Sequence, residues 1–183
     1  MGHVRYGMLQ SLDGYVASEE GELVLPPPGP ALHQHFNDEL RSTSLLVYGR
    51  RMWEIMRYWA GGDPDRDEVA AEFADLWQRT PKVVVSRTVT DAGPGVTVVR
   101  EDVVATIGTM VDKIAGDIEV AGPDLAATLG RAGLIDEYRL YVQPVVLGGG
   151  MPMFAEGFRP HVRFAGAESL PGDVVLLRYS RGI

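Results

Sequence analysis

The chain of 183 residues contains no cysteine. Disulfides, thiolate nucleophiles and thiolate metal ligands are therefore excluded, and a reducing compartment is compatible. No apolar run approaches the length of a membrane span. The first residues, MGHVRYGMLQSLDG, carry no basic segment leading into an apolar one, so no secretory signal is expected and a cytoplasmic setting is the default. Basic charge is also short: 17 Lys and Arg stand against 25 Asp and Glu, for a net charge of -8. That balance argues against nucleic acid and against an anionic membrane surface as partners. It leaves room for a small anionic ligand, which responds to local charge. Histidine is scarce at four residues. His33 and His35 are two apart, diverge on a helix and cannot hold one metal ion together, so no metal site is expected.

What remains is an ordinary globular composition, 45% hydrophobic and 23% charged. It fits one domain over residues 1–183 with enough apolar side chains for a sizeable core. Strands are expected at Val4–Leu9, Leu45–Tyr48, Lys82–Arg87, Val96–Val99, Ile118–Ala121 and Glu137–Val146. Helical spacing covers Ala31–Ser42, the run after Gly49 to Met56, Arg66–Gln78, Val103–Ile114 and Asp124–Ala132. Pro26-Pro27-Pro28-Gly29-Pro30 reads as a stiff surface loop. The tail, Val162–Glu168 and Val174–Tyr179, reads as a hairpin around Leu170-Pro171-Gly172-Asp173. Strands alternating with helices predict an α/β fold: a mostly parallel central sheet with helices on both faces and a C-terminal antiparallel hairpin at an edge.

Three strand ends carry the chemistry. Tyr48 leads into Gly49-Arg50-Arg51, Val85 into Ser86-Arg87, and Ala121 into Gly122-Pro123-Asp124-Leu125. Ligands of open parallel sheets bind at the carboxyl ends of strands. Helix starts with small residues suit a pyrophosphate, and arginines suit a further phosphate. Arg51 and Arg87 are the expected clamp for a ribose 2′-phosphate, which favours NADP over NAD. Asp13 is a carboxylate just past a strand end, with proton donor or substrate anchor as its functional role and a turn residue before Gly14 as the alternative. Phe36 and Trp59 are candidate walls for a planar substrate, or else core. Trp53 is expected in the core. Gly148–Gly150 either lets backbone approach a ligand or a second subunit, or reverses the chain.

The blocks SLDGYVA, LLVYGRRMWEIM, KVVVSRT and IEVAGPDLAATLGRAGLIDEYRLYVQPVVLGGGMPMF, in that order and spacing, resemble the dihydrofolate reductase-like family. They are most similar to the C-terminal reductase domain of bifunctional riboflavin-biosynthesis deaminase-reductases and their stand-alone relatives. The resemblance covers nearly the whole chain. It implies an NADPH-binding reductase, often a homodimer. Val16 would lie near the nicotinamide, Gly49, Arg50 and Arg51 at the phosphates, Ser86 and Arg87 on the adenosine side, and Gly122, Pro123, Asp124 and Leu125 under the pyrophosphate.

Two departures stand out. Met52 replaces the family's usual hydroxyl residue. Pro123 follows Gly122 where the family often has Gly-Gly with a cis bond. A cis bond is cheaper before proline, about 0.5–1 kcal/mol against about 2.5–4 for other residues. Gly122–Pro123 is therefore expected cis, the alternative being a trans proline at the first helical position. Asp124 would repel pyrophosphate, and is expected to point aside and cap its helix. The leading function is an NADPH-dependent reductase of a small heterocyclic or carbonyl/imine substrate, similar to the 5-amino-6-ribosylamino-pyrimidine reductase of riboflavin biosynthesis. A non-catalytic nucleotide- or small-ligand-binding module is the alternative. Dihydrofolate reduction needs a carboxylate on the first helix, where Asp38 and Glu39 lie only near the C-terminal end.

Overall fold

Val83, Val84 and Val85 form a β-branched run with no polar alternation, and such a strand must be covered on both faces. The computed structural model, which describes residues 1–182, covers it so. The chain begins β1 (His3–Gln10), β2 (Tyr15–Ala17), α1 (Pro30–Ser42), β3 (Thr43–Gly49), α2 (Arg50–Met56), α3 (Glu68–Arg79), β4 (Lys82–Val85) and β5 (Val96–Val99). It continues α4 (Val103–Lys113), β6 (Asp117–Ala121), α5 (Pro123–Arg131), β7 (Glu137–Val142), β8 (Met151–Pro152), β9 (Val162–Leu170) and β10 (Val174–Arg181).

The main sheet has the order β5-β4-β3-β6-β1-β7-β10-β9. The first six strands are parallel, and β10 and β9 add an antiparallel hairpin at the edge. On one face, Leu40 of α1, Trp53 of α2 and Trp77 of α3 pack on Leu46, Tyr48 and Val84. Trp53 stacks on Trp77, and the Trp77 indole N–H donates to the Tyr48 hydroxyl at 3.0 Å. On the other face, Ile107 and Val111 of α4 and Leu125 and Leu129 of α5 cover Val47, Val83 and Val120. Burying side chains of this kind contributes about 1.5–3 kcal/mol each. Among the described residues, no helix is long and apolar enough to cross a membrane.

Local chemistry moves several boundaries. α3 starts at Glu68 because the Asp67 carboxylate accepts from the Ala70 amide at 2.7 Å, a helix cap. β7 stops at Val142, short of the expected Val146, because Pro144 has no amide for the ladder. β8 was not foreseen; it pairs with β2 in a small second sheet. The expected cis bond is corrected: no peptide bond among the described residues is cis. Pro123 instead occupies the first turn of α5, after Gly122 at φ 115°. The glycine absorbs the turn in its own dihedral, where only glycine is at ease.

Gly150 immediately precedes β8 of this small sheet. A Cβ there would lie 2.2 Å from the Ala17 carbonyl oxygen, and its φ is 137°. The glycine run thus serves close approach within the chain itself.

Beneath α1 lies a half-buried ionic cluster. Arg5 of β1 meets Glu39 of α1 at 3.2 Å, Asp117 at 3.0 Å and Glu119 at 3.3 Å, the last two on β6. Arg139 of β7 pairs with Glu39 and, at 2.7 Å, with Glu137. Gly7 makes room: a Cβ there would sit 2.9 Å from the Glu119 carboxylate. Two arginines face four carboxylates, so one carboxylate is better off protonated. That one is Glu119, which burial pushes up to about 7 despite the pull of Arg5 and Arg139.

Two outcomes follow from this packing. The folded state holds the Glu119 proton more tightly than the unfolded chain, so its contribution to stability is whole below about pH 4.5 and lost as pH rises to about 7. Glu119→Gln should therefore gain on the wild type between pH 5 and 8, by roughly 2 kcal/mol in urea melts; its 24% side-chain exposure screens the rest. A pH-independent difference would refute this. Gly150→Ala should lower stability by about 2 kcal/mol or more, since backbone blocks the new methyl.

Candidate functional site

In parallel strands every carboxyl end points the same way, so β5, β4, β3, β6 and β1 open onto one rim. Along it runs a cleft of about 830 Å³, within the range of small-molecule and cofactor sites. The strand order sets out its chemistry like a ruler. Arg100 and Arg87 follow β5 and β4, Gly49 and Gly122 end β3 and β6, and Met8 belongs to β1. Neighbouring strands are about 4.8 Å apart, so β4 to β1 spans about 14 Å, and β5 adds one further step. This is the reach of an extended dinucleotide.

The centre of the ruler is the β3–β6 pair. Tyr48 is in register with Ala121, so Gly49 and Gly122 leave the sheet together. The position of a Gly122 Cβ is 3.8 Å from the Gly49 amide nitrogen, and that of a Gly49 Cβ is 3.8 Å from Leu125. Side chains here would fill the space between the two strand ends. No side chain caps α5, whose Asp124 and Leu125 amides open its first turn after an imide proline. An unclaimed helix start of this kind suits an anion. The Asp124 expectation is corrected here: its carboxylate caps nothing and lines the exposed side of the cleft.

All ten residues expected at a cofactor, namely Val16, Gly49, Arg50, Arg51, Ser86, Arg87, Gly122, Pro123, Asp124 and Leu125, line this cleft. Their duties differ from a plain reading of the motif. Arg50 is paired with Glu54, one helical turn on, at 2.7 Å. The Ser86 hydroxyl accepts from the Thr88 and Val89 amides at 3.1 Å each, so it holds the turn after β4. Arg87 is exposed at the rim. Arg51 lies against the loop after β2: its Cδ and Nη1 are 3.8 and 4.0 Å from where a Gly21 Cβ would be. The second arginine on the β4–β5 side is Arg100, which donates to the Val89 carbonyl at 2.9 Å. It was missed because it sits after a short strand with no glycine to mark it.

The remaining candidates fall outside the cleft. The Asp13 carboxylate accepts from the Leu147 and Gly148 amides at 3.1 and 2.7 Å. Hydrogen bonds from Ser11 and these amides hold it down to about 2, so it is no proton donor at neutral pH. It ties the loop after β7 to the end of β1. Phe36 packs on Tyr141, with ring centroids 5.1 Å apart, under α1. Trp59 packs on Phe73 at 4.7 Å. Both aromatic candidates are packing residues. Among the described residues no group of His, Cys, Asp and Glu is placed to hold a metal ion.

The end of the cleft at β1 has a different character. Met8, Val16, Ala17, Leu23 and Met151 line it, and none carries an ionisable group. β2 and β8 hold Val16, Ala17 and Met151 in place, with the Met153 amide donating to the Gly14 carbonyl at 2.9 Å.

Comparison with known proteins places this architecture. The model of the RibD C-terminal domain matches residues 2–176. Protein YyaP of Bacillus subtilis (strain 168), itself uncharacterized, is 28% identical over 149 residues, 80% of this chain and 77% of its own. Among solved structures, a putative riboflavin biosynthesis protein from Shewanella sp. PV-4 is 23% identical with a TM-score of 0.75, covering 99% of both chains. Dihydrofolate reductase from Enterococcus faecalis, solved with NADP(H) and RAB-propyl, shares the fold at a TM-score of 0.68 and 17% identity, over 100% of this chain and 98% of that one. With the model matching almost end to end, the chain belongs to the RibD C-terminal domain family.

Proposed function

We propose that this protein is an NADPH-dependent reductase of a small heterocyclic or carbonyl/imine substrate. The observation that carries the reading is the ordered cleft: basic side chains beyond β4 and β5, a glycine-lined helix start at β3 and β6, and an apolar pocket at β1. These residues fit a dinucleotide by size and by sequence of polarity. The family and the NADP(H) complex of the E. faecalis enzyme support the choice of cofactor. Gly122, Asp124 and Leu125 would hold the pyrophosphate by backbone amides, with Gly49 giving clearance. Arg87 and Arg100 would take the 2′-phosphate, and Val16 the nicotinamide face. When bound, the cofactor supplies the hydride; the chain supplies binding, orientation and a dry wall.

A homodimer belongs to the same proposal. β9 is an edge strand, and Phe164 and Val175 on the terminal hairpin are 66% and 39% exposed. Phe164 stands edge-on to Tyr179, with ring centroids 5.8 Å apart, and leaves an exposed apolar patch on the hairpin. A second copy is the natural cover for it.

Titration with NADPH and NADH, followed by quenching of the three tryptophans, tests the cofactor. NADPH should bind well ahead of NADH. Arg87→Ala and Arg100→Ala should each weaken NADPH about tenfold, the scale of one charge-assisted phosphate contact, and leave NADH nearly unchanged. Asp124→Asn should tighten both nucleotides several-fold. Absence of binding by either nucleotide ends the reading. Light scattering should give twice the 20.0 kDa chain mass, and Phe164→Asp should return it to the monomer value. A monomeric wild type would remove the dimer.

A further inference from the structure

The β1 end of the cleft is the place where an acceptor would meet the nicotinamide, and its chemistry narrows what the acceptor is. We infer that, given the reductase reading, the substrate is an uncharged, planar, electron-poor carbonyl ring of the quinone class, which takes its proton from water and not from the protein.

Four observations point there. Met8, Val16, Ala17, Leu23 and Met151 make up the wall, and Val16 and Ala17 are buried. Methionine pairs of this kind adapt to flat rings of varied outline. Second, no side chain in that wall can give up a proton at neutral pH. Asp13, the one carboxylate following β1, has both oxygens tied to the Leu147 and Gly148 amides. Arg51 reaches the loop at Gly21, beside Met151. A guanidinium stays charged, so it favours an oxygen that gains negative charge and yields no proton. Third, none of the five residues of that wall, Met8, Val16, Ala17, Leu23 and Met151, is a carboxylate that could hold an aminopyrimidine or pteridine edge. On the α1 side, Leu32 and Tyr141 are buried against Leu170, Val174 and Leu176, and the Gln143 amide donates to the Pro26 carbonyl at 2.9 Å. Fourth, Leu23 lines the mouth yet is 68% exposed. An apolar side chain held in water at a cleft mouth gains by covering an apolar ligand.

The acid–base demand of the acceptor decides between classes. A reduced C=N bond leaves a strongly basic nitrogen, and its reduction needs a positioned acid to deliver the proton. A quinone that gains hydride leaves a phenolate-like oxygen, with a pKa near that of tyrosine, about 10, and water protonates it without help. The balance is closed: the acceptor gains a hydride and one water proton to become the quinol, while the dihydronicotinamide is oxidised to the nicotinamide cation.

The test is a binding measurement on the full chain saturated with NADP⁺. Menadione, a neutral naphthoquinone, is titrated by tryptophan quenching alongside its sulfonated analogue and a ribosylaminopyrimidine. Menadione should bind at least tenfold tighter than either of the others. Leu23→Ser should weaken menadione about tenfold, the worth of one covered leucine, and Leu23→Met should restore it. Leu23 is exposed, so neither variant threatens the fold. In turnover with menadione, kcat should stay flat from pH 6 to 8, because no protein acid titrates in the step. NADP⁺ binding with equal or preferred uptake of the sulfonate or the aminopyrimidine overturns this inference and leaves the reductase reading intact. A failure of NADP⁺ and NADPH to bind overturns both.

Discussion

The register of two central strands sets the rest of the molecule. Tyr48 of β3 lies opposite Ala121 of β6, so two glycines leave the sheet at the same level, side by side. A slip of one residue would set Gly49 against the strand and turn every β6 side chain to the wrong face. The register is secured from both sides: Val47 and Val120 are buried against α4 and α5, and Tyr48 and Ala121 against the tryptophans of α2 and α3. The core therefore does more than stabilise. It fixes the spacing at which a helix start and a strand end meet, and that spacing is the seat of the cleft.

The polar interactions divide into two groups by position. At the base, Arg5, Arg139, Glu39, Asp117, Glu119 and Glu137 satisfy each other under α1, and Glu119 keeps its proton up to about pH 7 where the carboxylates outnumber the arginines. At the rim, Arg87 and Arg100 stand exposed and line the cleft. Buried ion pairs add little net stability over apolar packing, and removing one partner is strongly destabilising. The base cluster thus holds α1 in one place on the sheet. The rim arginines lie outside that cluster; Arg100 donates to the Val89 carbonyl at 2.9 Å, and both stand where a ligand can reach them.

Much of this was legible from residues alone, for a physical reason. Long apolar runs, glycine after a strand, and arginine after glycine are local signals, and the parallel sheet converts them into one rim. That is why Val16, Gly49, Arg87 and Gly122, scattered over the chain, share a cleft. The misreadings were matters of side-chain direction. Asp13 follows β1 as a donor would, but two loop amides over a hundred residues away capture it. Phe36 and Trp59 have the right chemistry for a pocket and pack instead on Tyr141 of β7 and Phe73 of α3. Arg100 has no glycine beside it and became visible only when β5 was laid next to β4. The Gly122–Pro123 turn depended on which of two adjacent residues would absorb the bend, and glycine's free φ did so.

The overall charge gives the cleft its last constraint. At -8 the whole molecule repels an anionic dinucleotide at long range, so attraction has to be local. Within a Debye length of about 8 Å at physiological salt, only the charges of the cleft itself count. There Arg50, Arg51, Arg87 and Arg100 share the lining with Glu101, Asp102 and Asp124, a near balance. Bulk electrostatics therefore supplies no affinity, and geometry must: backbone amides at α5, clearance over two glycines, and an apolar wall at β1. Salt acts on the two ranges in opposite directions, relieving the distant repulsion while weakening the exposed arginine contacts. A ligand held this way is selected by its outline and by the order of its polar and apolar parts more than by its charge. The same holds at the apolar end, where Met8, Val16, Ala17, Leu23 and Met151 contribute shape and dryness.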